Sequence, residues 1–521
     1  MLSLNYFTDD EQDSKAKKRL KSFILNFILG GLLILALAPF YVFPLLILAL
    51  SGLLWQIASA KNLKAALWRS FSFGVGYYMI GLFWIGFAFL DFPEPSNPNR
   101  LLGISLAIPA MIAISTFLGL YFILLGFLSW RAPKKGLRGA VVQASIWTLV
   151  SFLQGHLFTG FPWNPLAISL TFHPITMQPA AFVGVYGLSW IAAFIGYSLY
   201  CFKGQFKSEG FTFACRGLLV VFALSSVRYI YYDIQLKSAP KIAKIRGIQT
   251  GISLKDKWDV KQFYSHLALV EDMLKQGDAD YDAAILGETA LPILIDQDTQ
   301  VRELLGSYIP ANSNLLIGAN QLTDGDYSKP RNTLVALSPQ GEILYSYTKT
   351  HLVPFGEYSP WWAPFGKFIS VPGHYVRGDG PETYQLKKFS YGPNICYEGI
   401  FTGDVIDYNN KPDVMINVAI DGWYGNTHGP RQHAAQQQLR AVEEGIPLIR
   451  VTDNGISYGV NALGKIEKRI GINTSSYFDY EVKKKNIVNL AWRYSEFLLF
   501  LTMIIIVLSQ KSYPIRVENK K

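Results

Sequence analysis

Cys396 stands in the stretch "GPNICYEGIF" (392–401), between a strand-like run and a Tyr-Glu-Gly turn. It is one of three cysteines in 521 residues, and the other two, Cys201 and Cys215, lie in distant apolar runs. A free cysteine is most often a buried small hydrophobe. It becomes a nucleophile only as the thiolate, and its unperturbed pKa is about 8.5. A reactive thiol therefore needs a base or a cation beside it, and a donor for the oxyanion it creates. Histidine is the usual base. His266, His351, His374, His428 and His433 lie in the same part of the chain, none in a familiar Cys–His signature. A carboxylate and a lysine are the alternatives.

The elements that must position such groups are short β-rich segments alternating with helical or turn-rich stretches. Strands are expected at 244–250, 282–288, 314–320, 332–338, 390–398, 413–420 and 447–453, and helices at 258–276 and 431–444. The alternation predicts an α/β domain. Several strands end on a polar or reactive residue, where open α/β sheets carry their sites: Glu288 follows "DAAILG", Cys396 "GPNI" and Asp421 "MINVAI". Arg440 and its helix read as fold elements, and His428 and His433 as local hydrogen-bonding residues.

This domain does not stand alone. Half of the residues are apolar and 17% are charged, and the apolar ones crowd into 22–234 and 490–510. Runs of about 18 apolar residues or more mark bilayer-crossing helices. Eight are expected, at 22–39, 41–58, 68–90, 102–128, 139–156, 178–202, 214–233 and 491–510. Lys and Arg gather before the first run, in alternate loops and after the last, whereas the 156–177 loop has none. The positive-inside rule then puts both termini in the cytoplasm and 237–489 on the outer side, the periplasm of a bacterium. The formal net charge of +10 is largely this orientation signal, not a nucleic-acid footprint. The expected domains are a cytoplasmic segment 1–21, a seven-helix membrane domain 22–234, a soluble domain 237–489, a final transmembrane helix 490–510 and a cytoplasmic tail 511–521. Three cysteines make no disulfide framework, and no zinc-binding spacing or phosphate loop is present.

Three motifs resemble those of the nitrilase, or carbon-nitrogen hydrolase, superfamily. They are "LGETALP" (286–292), "YTKTHLVPFGEYSP" (347–360) and "NICYEGIF" (394–401), in the family's order of Glu, Lys and Cys. Four more, "LALAPFYVFPL" (35–45), "FTGFPWNPL" (158–166), "GVYGLSW" (184–190) and "SLKDKWD" (253–259), resemble its polytopic membrane branch, the apolipoprotein N-acyltransferases. The resemblance covers nearly the whole chain. It implies an αββα sandwich with catalytic Glu288 as general base, Lys349 stabilising thiolate and oxyanion, and Cys396 as nucleophile. The resemblance also implies the backbone N–H of Tyr397 as a second oxyanion donor. Glu357, Tyr397 and Glu398 are expected to support the triad, and Trp258 and Trp423 to lie on loops over the substrate.

The implied reaction has two half-steps. A phospholipid, typically phosphatidylethanolamine, acylates Cys396, and the α-amino group of a diacylglyceryl-cysteine apolipoprotein then takes the acyl chain. No metal, nucleotide or other cofactor is required, the partners are lipid and lipoprotein, and a monomer in the inner membrane is expected. A membrane-tethered amidase or hydrolase and a non-catalytic lipoprotein-binding homologue are the competing readings. The aromatic stretches 357–373 and 421–429 are expected to contact the membrane. The chain departs from the family pattern at Gly287, at Ala419 and Ile420 before Asp421, and at Ser151 and Gln154.

Overall fold

The computed structural model describes residues 9–91, 100–278, 280–361 and 375–489, with a few residues between 497 and 507. Its first half is helical: α1 (Asp9–Ile34), α2 (Pro44–Ala58), α3 (Leu63–Gly81), α4 (Ile85–Asp91), α5 (Arg100–Gly119), α6 (Tyr121–Arg131), α7 (Gly136–His156), α8 (Pro174–Met177), α9 (Ala180–Cys201) and α10 (Glu209–Ser238). Local signals set several ends. Pro44 opens α2 at a position where its missing N–H costs nothing, and Asn62 caps α3 by accepting from Ala65 N–H. Glycines let α1 and α3 touch: a Cβ on Gly30 would strike the Phe73 carbonyl, and one on Gly76 the Phe27 carbonyl.

Among the described residues, four helical segments are long and apolar enough to cross a membrane: Ile104–Arg131, Gly136–Thr159, Ala180–Cys201 and Glu209–Ser238. These carry four of the eight expected spans. The first three spans differ from expectation. α1 stops at Ile34, α2 has only 15 residues, and the run 68–90 is broken by a turn between Gly81 and Ile85. Gln143 and Gln154 do not interrupt α7, because Gln143 donates to the Pro133 carbonyl and Gln154 to the Phe161 carbonyl. The expected span 491–510 lies mostly outside the described residues.

The second half contains β1 (Lys241–Gln249), α11 (Leu254–Lys257), α12 (Phe263–Lys275), β2 (Ala283–Leu286), α13 (Thr299–Ser307), β3 (Asn314–Thr323), β4 (Asp326–Leu337), β5 (Ile343–Thr348), β6 (Tyr384–Gln385), β7 (Ser390–Ile395), β8 (Val414–Ala419), α14 (Gly429–Glu444), β9 (Leu448–Thr452), β10 (Ser457–Val460), β11 (Ile466–Ile470) and β12 (Ser476–Lys483). They form two six-stranded sheets, ordered β12-β1-β2-β3-β4-β5 and β11-β10-β9-β8-β7-β6. Strands β1, β2 and β3 run parallel, as do β7, β8 and β9. The inner faces share one core, in which Ile245, Ile285 and Leu316 meet Ile395, Ile416 and Val451. α12 and α13 cover the outside of the first sheet, and α14 that of the second. β2 (AAIL) is buried and apolar on both faces, as a strand covered on both sides must be.

The expected helix 258–276 is split. α11 ends at Lys257, and Asp259 caps a separate turn at Val260–Gln262 by accepting from Lys261 N–H before α12 begins. The expected strand 390–398 stops at Ile395, where the backbone turns into a tight 3-10 turn, Cys396–Ile400.

Candidate active site

The carboxyl ends of the parallel strands in both sheets converge on one buried cluster. β7 delivers Cys396, whose φ of +51° puts a non-glycine residue in the left-handed region. Such strain costs of order 1–3 kcal/mol and persists only where surroundings enforce it. Here the Cys396 carbonyl accepts from His433 Nε2 and Gln437 Nε2, both at 3.1 Å. Glu288 lies just past β2, and the next residue, Thr289, is also left-handed, at φ +41°. Lys349 is the first residue after β5.

Lys349 Nζ lies 3.2 Å from Glu288 Oε1 and 2.8 Å from Glu357 Oε1. Asn332 Nδ2 donates to Glu288 Oε1 at 2.7 Å and to Glu357 Oε1 at 3.3 Å. Ile420 N–H donates to Glu288 Oε2 at 3.0 Å, and the Cys396 thiol faces this carboxylate. The Lys349 side chain is only 1% exposed, so bulk water does not weaken these charge contacts. Burial pushes the Glu288 carboxyl up, but Lys349, Asn332 and the thiol outweigh it and hold it below its usual range. Burial, and then the Glu288 charge, push the Cys396 thiol well up, with Lys349 only partly opposing them. Burial alone pulls the lysine down, yet Glu288 and Glu357 reverse this and raise it. The resting cluster is thus a neutral thiol facing an ionised glutamate, with a charged lysine at the same carboxylate. A base already faces the proton it would remove.

The sequence family described as the apolipoprotein N-acyltransferase N-terminal domain matches residues 29–198, and the carbon-nitrogen hydrolase family matches 288–487. The apolipoprotein N-acyltransferase of Rickettsia prowazekii (strain Madrid E) is 30% identical over 503 residues, spanning 94% of this chain and 97% of that protein. The chain belongs to the apolipoprotein N-acyltransferase family. The Rhizobium rhizogenes apolipoprotein N-acyltransferase is likewise 30% identical, over 492 residues that span 88% of this chain and 89% of that one. Such N-acyltransferases are an enzyme class within the carbon-nitrogen hydrolase superfamily. Among solved structures, an amidase from Nesterenkonia sp. has a TM-score of 0.35 at 16% identity, covering 47% of this chain and 91% of its own. A CN-hydrolase superfamily protein from Xanthomonas campestris has a TM-score of 0.34 at 17% identity, covering 50% and 96%.

Around this N-acyltransferase cluster, the other expected site residues fall into two groups. Glu357 touches Lys349 directly, and its other oxygen accepts from Val353 N–H at 2.7 Å. Glu398 touches none of the three central groups. Its Oε1 accepts from Tyr347 OH (2.9 Å), Thr350 Oγ1 (2.8 Å), His351 N–H (3.1 Å) and Thr350 N–H. Its Oε2 accepts from Ile395 N–H at 2.6 Å. Glu398 is therefore a clamp between the cysteine elbow and the lysine loop. Tyr397 points the other way, into the helical half, where its hydroxyl donates to the Gly160 carbonyl at 3.2 Å and its ring stacks on Phe161.

The two expected loop tryptophans sit in different settings. Trp258 is 40% exposed at the end of α11, whereas its neighbour Lys257 is buried. The stretch 421–429 packs in large part on the helical half. Tyr424 meets Trp84 at 4.4 Å between ring centroids, His428 Nε2 lies 3.0 Å from the Gly81 carbonyl, and Trp423 packs on the same apolar cluster. Most of 357–373 lies outside the described residues.

Sequence reasoning missed Asn332, Lys257 and the role of Asp421. Arg450 Nη2 donates to Asp421 at 2.8 and 3.0 Å, and His433 Nδ1 lies 3.1 Å from it, so Asp421 orients the histidine that holds the Cys396 carbonyl. The position of Asp421 at a strand end was the one available signal. The departures at Ser151 and Gln154 line a narrow pocket, with Tyr78, Trp147, Trp163 and Thr402. Gln154 accepts there from Tyr78 OH.

Proposed function

We propose that this chain moves a fatty acyl group from a phospholipid, with phosphatidylethanolamine the expected donor, to the N-terminal α-amino group of diacylglyceryl-cysteine apolipoproteins. The observation that carries the reading is a neutral thiol facing an ionised glutamate beside a buried lysine, in a chain of this family.

Glu288 takes the Cys396 proton as sulfur attacks the ester carbonyl. The tetrahedral oxyanion is met by Lys349 and by the Tyr397 backbone N–H at the start of the 3-10 turn. Collapse breaks the ester C–O bond, and Glu288 returns the proton to the lysophospholipid oxygen. The acceptor amine then attacks the thioester, Glu288 removes its proton, and the thiolate leaves and is reprotonated. A thioester suits this exchange, because it outlasts the departure of the first product yet opens to an amine. Starting from a neutral thiol keeps the nucleophile unreactive until an ester carbonyl is in place.

The triad roles, the domain limits 1–21, 22–234, 237–489, 490–510 and 511–521, and the eight-span topology belong to the same reading. So do cytoplasmic termini and a periplasmic catalytic domain. The membrane-length helices and the Lys/Arg pattern support that orientation. A monomer belongs to the same reading. The test is product analysis. Purified protein receives phosphatidylethanolamine and a diacylglyceryl-cysteine peptide, and mass spectrometry follows both. N-acylated peptide with lysophospholipid is expected, and free fatty acid with unmodified peptide would overturn the transfer reading in favour of a hydrolase.

A further inference from the structure

The loop after β1 is fastened to the base elbow by a buried lysine. Gly251 N–H donates to the Asp453 carbonyl at 2.6 Å, and Ser253 caps α11 by accepting from Asp256 N–H. At the end of α11, Lys257 turns inward and is 2% exposed. Its Nζ donates to the main-chain carbonyl of Glu288 at 2.8 Å and to Asp453 Oδ2. Asp453, directly after β9, is buried as well. Gly287 makes the space: a Cβ there would overlap Asp453 Oδ1 and come within 3.0 Å of its Cγ. The departure at Gly287 and the Lys257–Asp453 pair are thus one arrangement.

A buried ion pair is a poor way to gain stability, since desolvation offsets its attraction. What this pair gives is position. The Glu288 carbonyl belongs to the peptide plane entering the left-handed Thr289, and a donor on that oxygen fixes the plane from which the Glu288 side chain springs.

We propose that Lys257 is a positioning residue for the base: it pins the Glu288 main chain, cancels the Asp453 charge beside it, and ties the loop bearing Trp258 to the elbow. This rests on the reading of Glu288 as the group that takes the Cys396 proton. The groups facing Glu288 from other elements are Lys349 and Glu357 after β5, Cys396 after β7, Asp421 after β8 and Asp453 after β9. The phenols of Tyr375 and Tyr424 also face it, and Asp421 is already matched by Arg450 and His433. Asp453 is the neighbouring carboxylate whose counter-ion is Lys257.

The experiment measures alkylation of Cys396 by iodoacetamide against pH in full-length protein, read on the Cys396 peptide by mass spectrometry. It needs no acyl donor, so it stands even if the transfer reading fails in the product test. Lys257→Met removes the cation and the donor that hold the Glu288 main chain. The acid limb should then move up by about one pH unit, a tenfold loss of rate on the acid side. Asp453→Asn removes a negative neighbour and keeps the lysine, so its limb should move down. Limbs unmoved in both variants would overturn the proposal. Should Lys257→Met not fold, the Asp453→Asn limb alone decides: a downward shift supports the proposal and an unmoved limb overturns it.

Discussion

Glu398 holds the cysteine elbow against the lysine loop, and replacing it by glutamine separates a positioning role from a chemical one. The carboxylate accepts five hydrogen bonds, four on Oε1 and one on Oε2. An amide of the same shape offers only one oxygen. Placed with that oxygen toward the four donors, its NH2 faces Ile395 N–H, and a buried donor left without an acceptor costs about 1–3 kcal/mol. The four remaining bonds also lose their charge assistance, and bonds to a charged group are roughly twice as strong as neutral ones. Together these give a loss of about 3–5 kcal/mol. At about 2–4 °C per kcal/mol for a domain of this size, the melting temperature should fall by about 10 °C. The assay is thermal unfolding in detergent, run beside the rate of Cys396 acylation, with Glu398→Ala as the more severe comparison. Stability and acylation should fall together, because Ile395 leads directly into the strained cysteine. A Glu398→Gln protein that melts like wild type yet no longer acylates Cys396 would refute the clamp and assign the carboxylate to the chemistry.

The neighbouring contacts set three more expected outcomes. Asn332→Ala removes a neutral donor shared by Glu288 and Glu357; Glu288 should then titrate higher, and the acid limb of the acylation rate should move up by about half a pH unit to one unit. Because wild-type Glu288 is held below the ordinary carboxylate range, wild-type acylation should persist undiminished down to about pH 5 in a pH–rate profile. Gly287→Ala drives a methyl into Asp453 and should destabilise the protein by about 1–3 kcal/mol in a melting experiment, with Asp453→Gly in the same chain recovering part of the loss.

Much of this site is legible in the sequence because its three central groups sit at strand ends inside short, distinctive stretches. Apolar runs such as "DAAIL" and "DVMINV" mark the parallel strands, and the residues directly after them must lie at the carboxyl edge. The groups that complete the cluster are less visible. Asn332 lies in the middle of β4 and meets Glu288 only because β4 pairs with β3, which in turn lies beside β2. Lys257 looks like a surface lysine, one of two in "SLKDKWD", and its inward turn depends on Asp453, 196 residues away. The strain at Cys396 and Thr289 is a backbone property without a composition signal. In the helical half, hydropathy finds the apolar runs but not their breaks, since the turn after Gly81 is set by packing of the 158–166 loop, whose Asn164 fits against that glycine. The aromatic stretch 421–429 looks membrane-seeking because the surface it covers, around Trp84, is itself aromatic.

The central claim is that an acyl group rests on Cys396. The direct test incubates purified protein with phosphatidylethanolamine carrying a tagged acyl chain, without acceptor, and looks for label on the protein. The account predicts label that neutral hydroxylamine removes, that an acceptor peptide discharges, and that is absent from Cys396→Ala. Label that persists in Cys396→Ala, or that resists hydroxylamine, would contradict it.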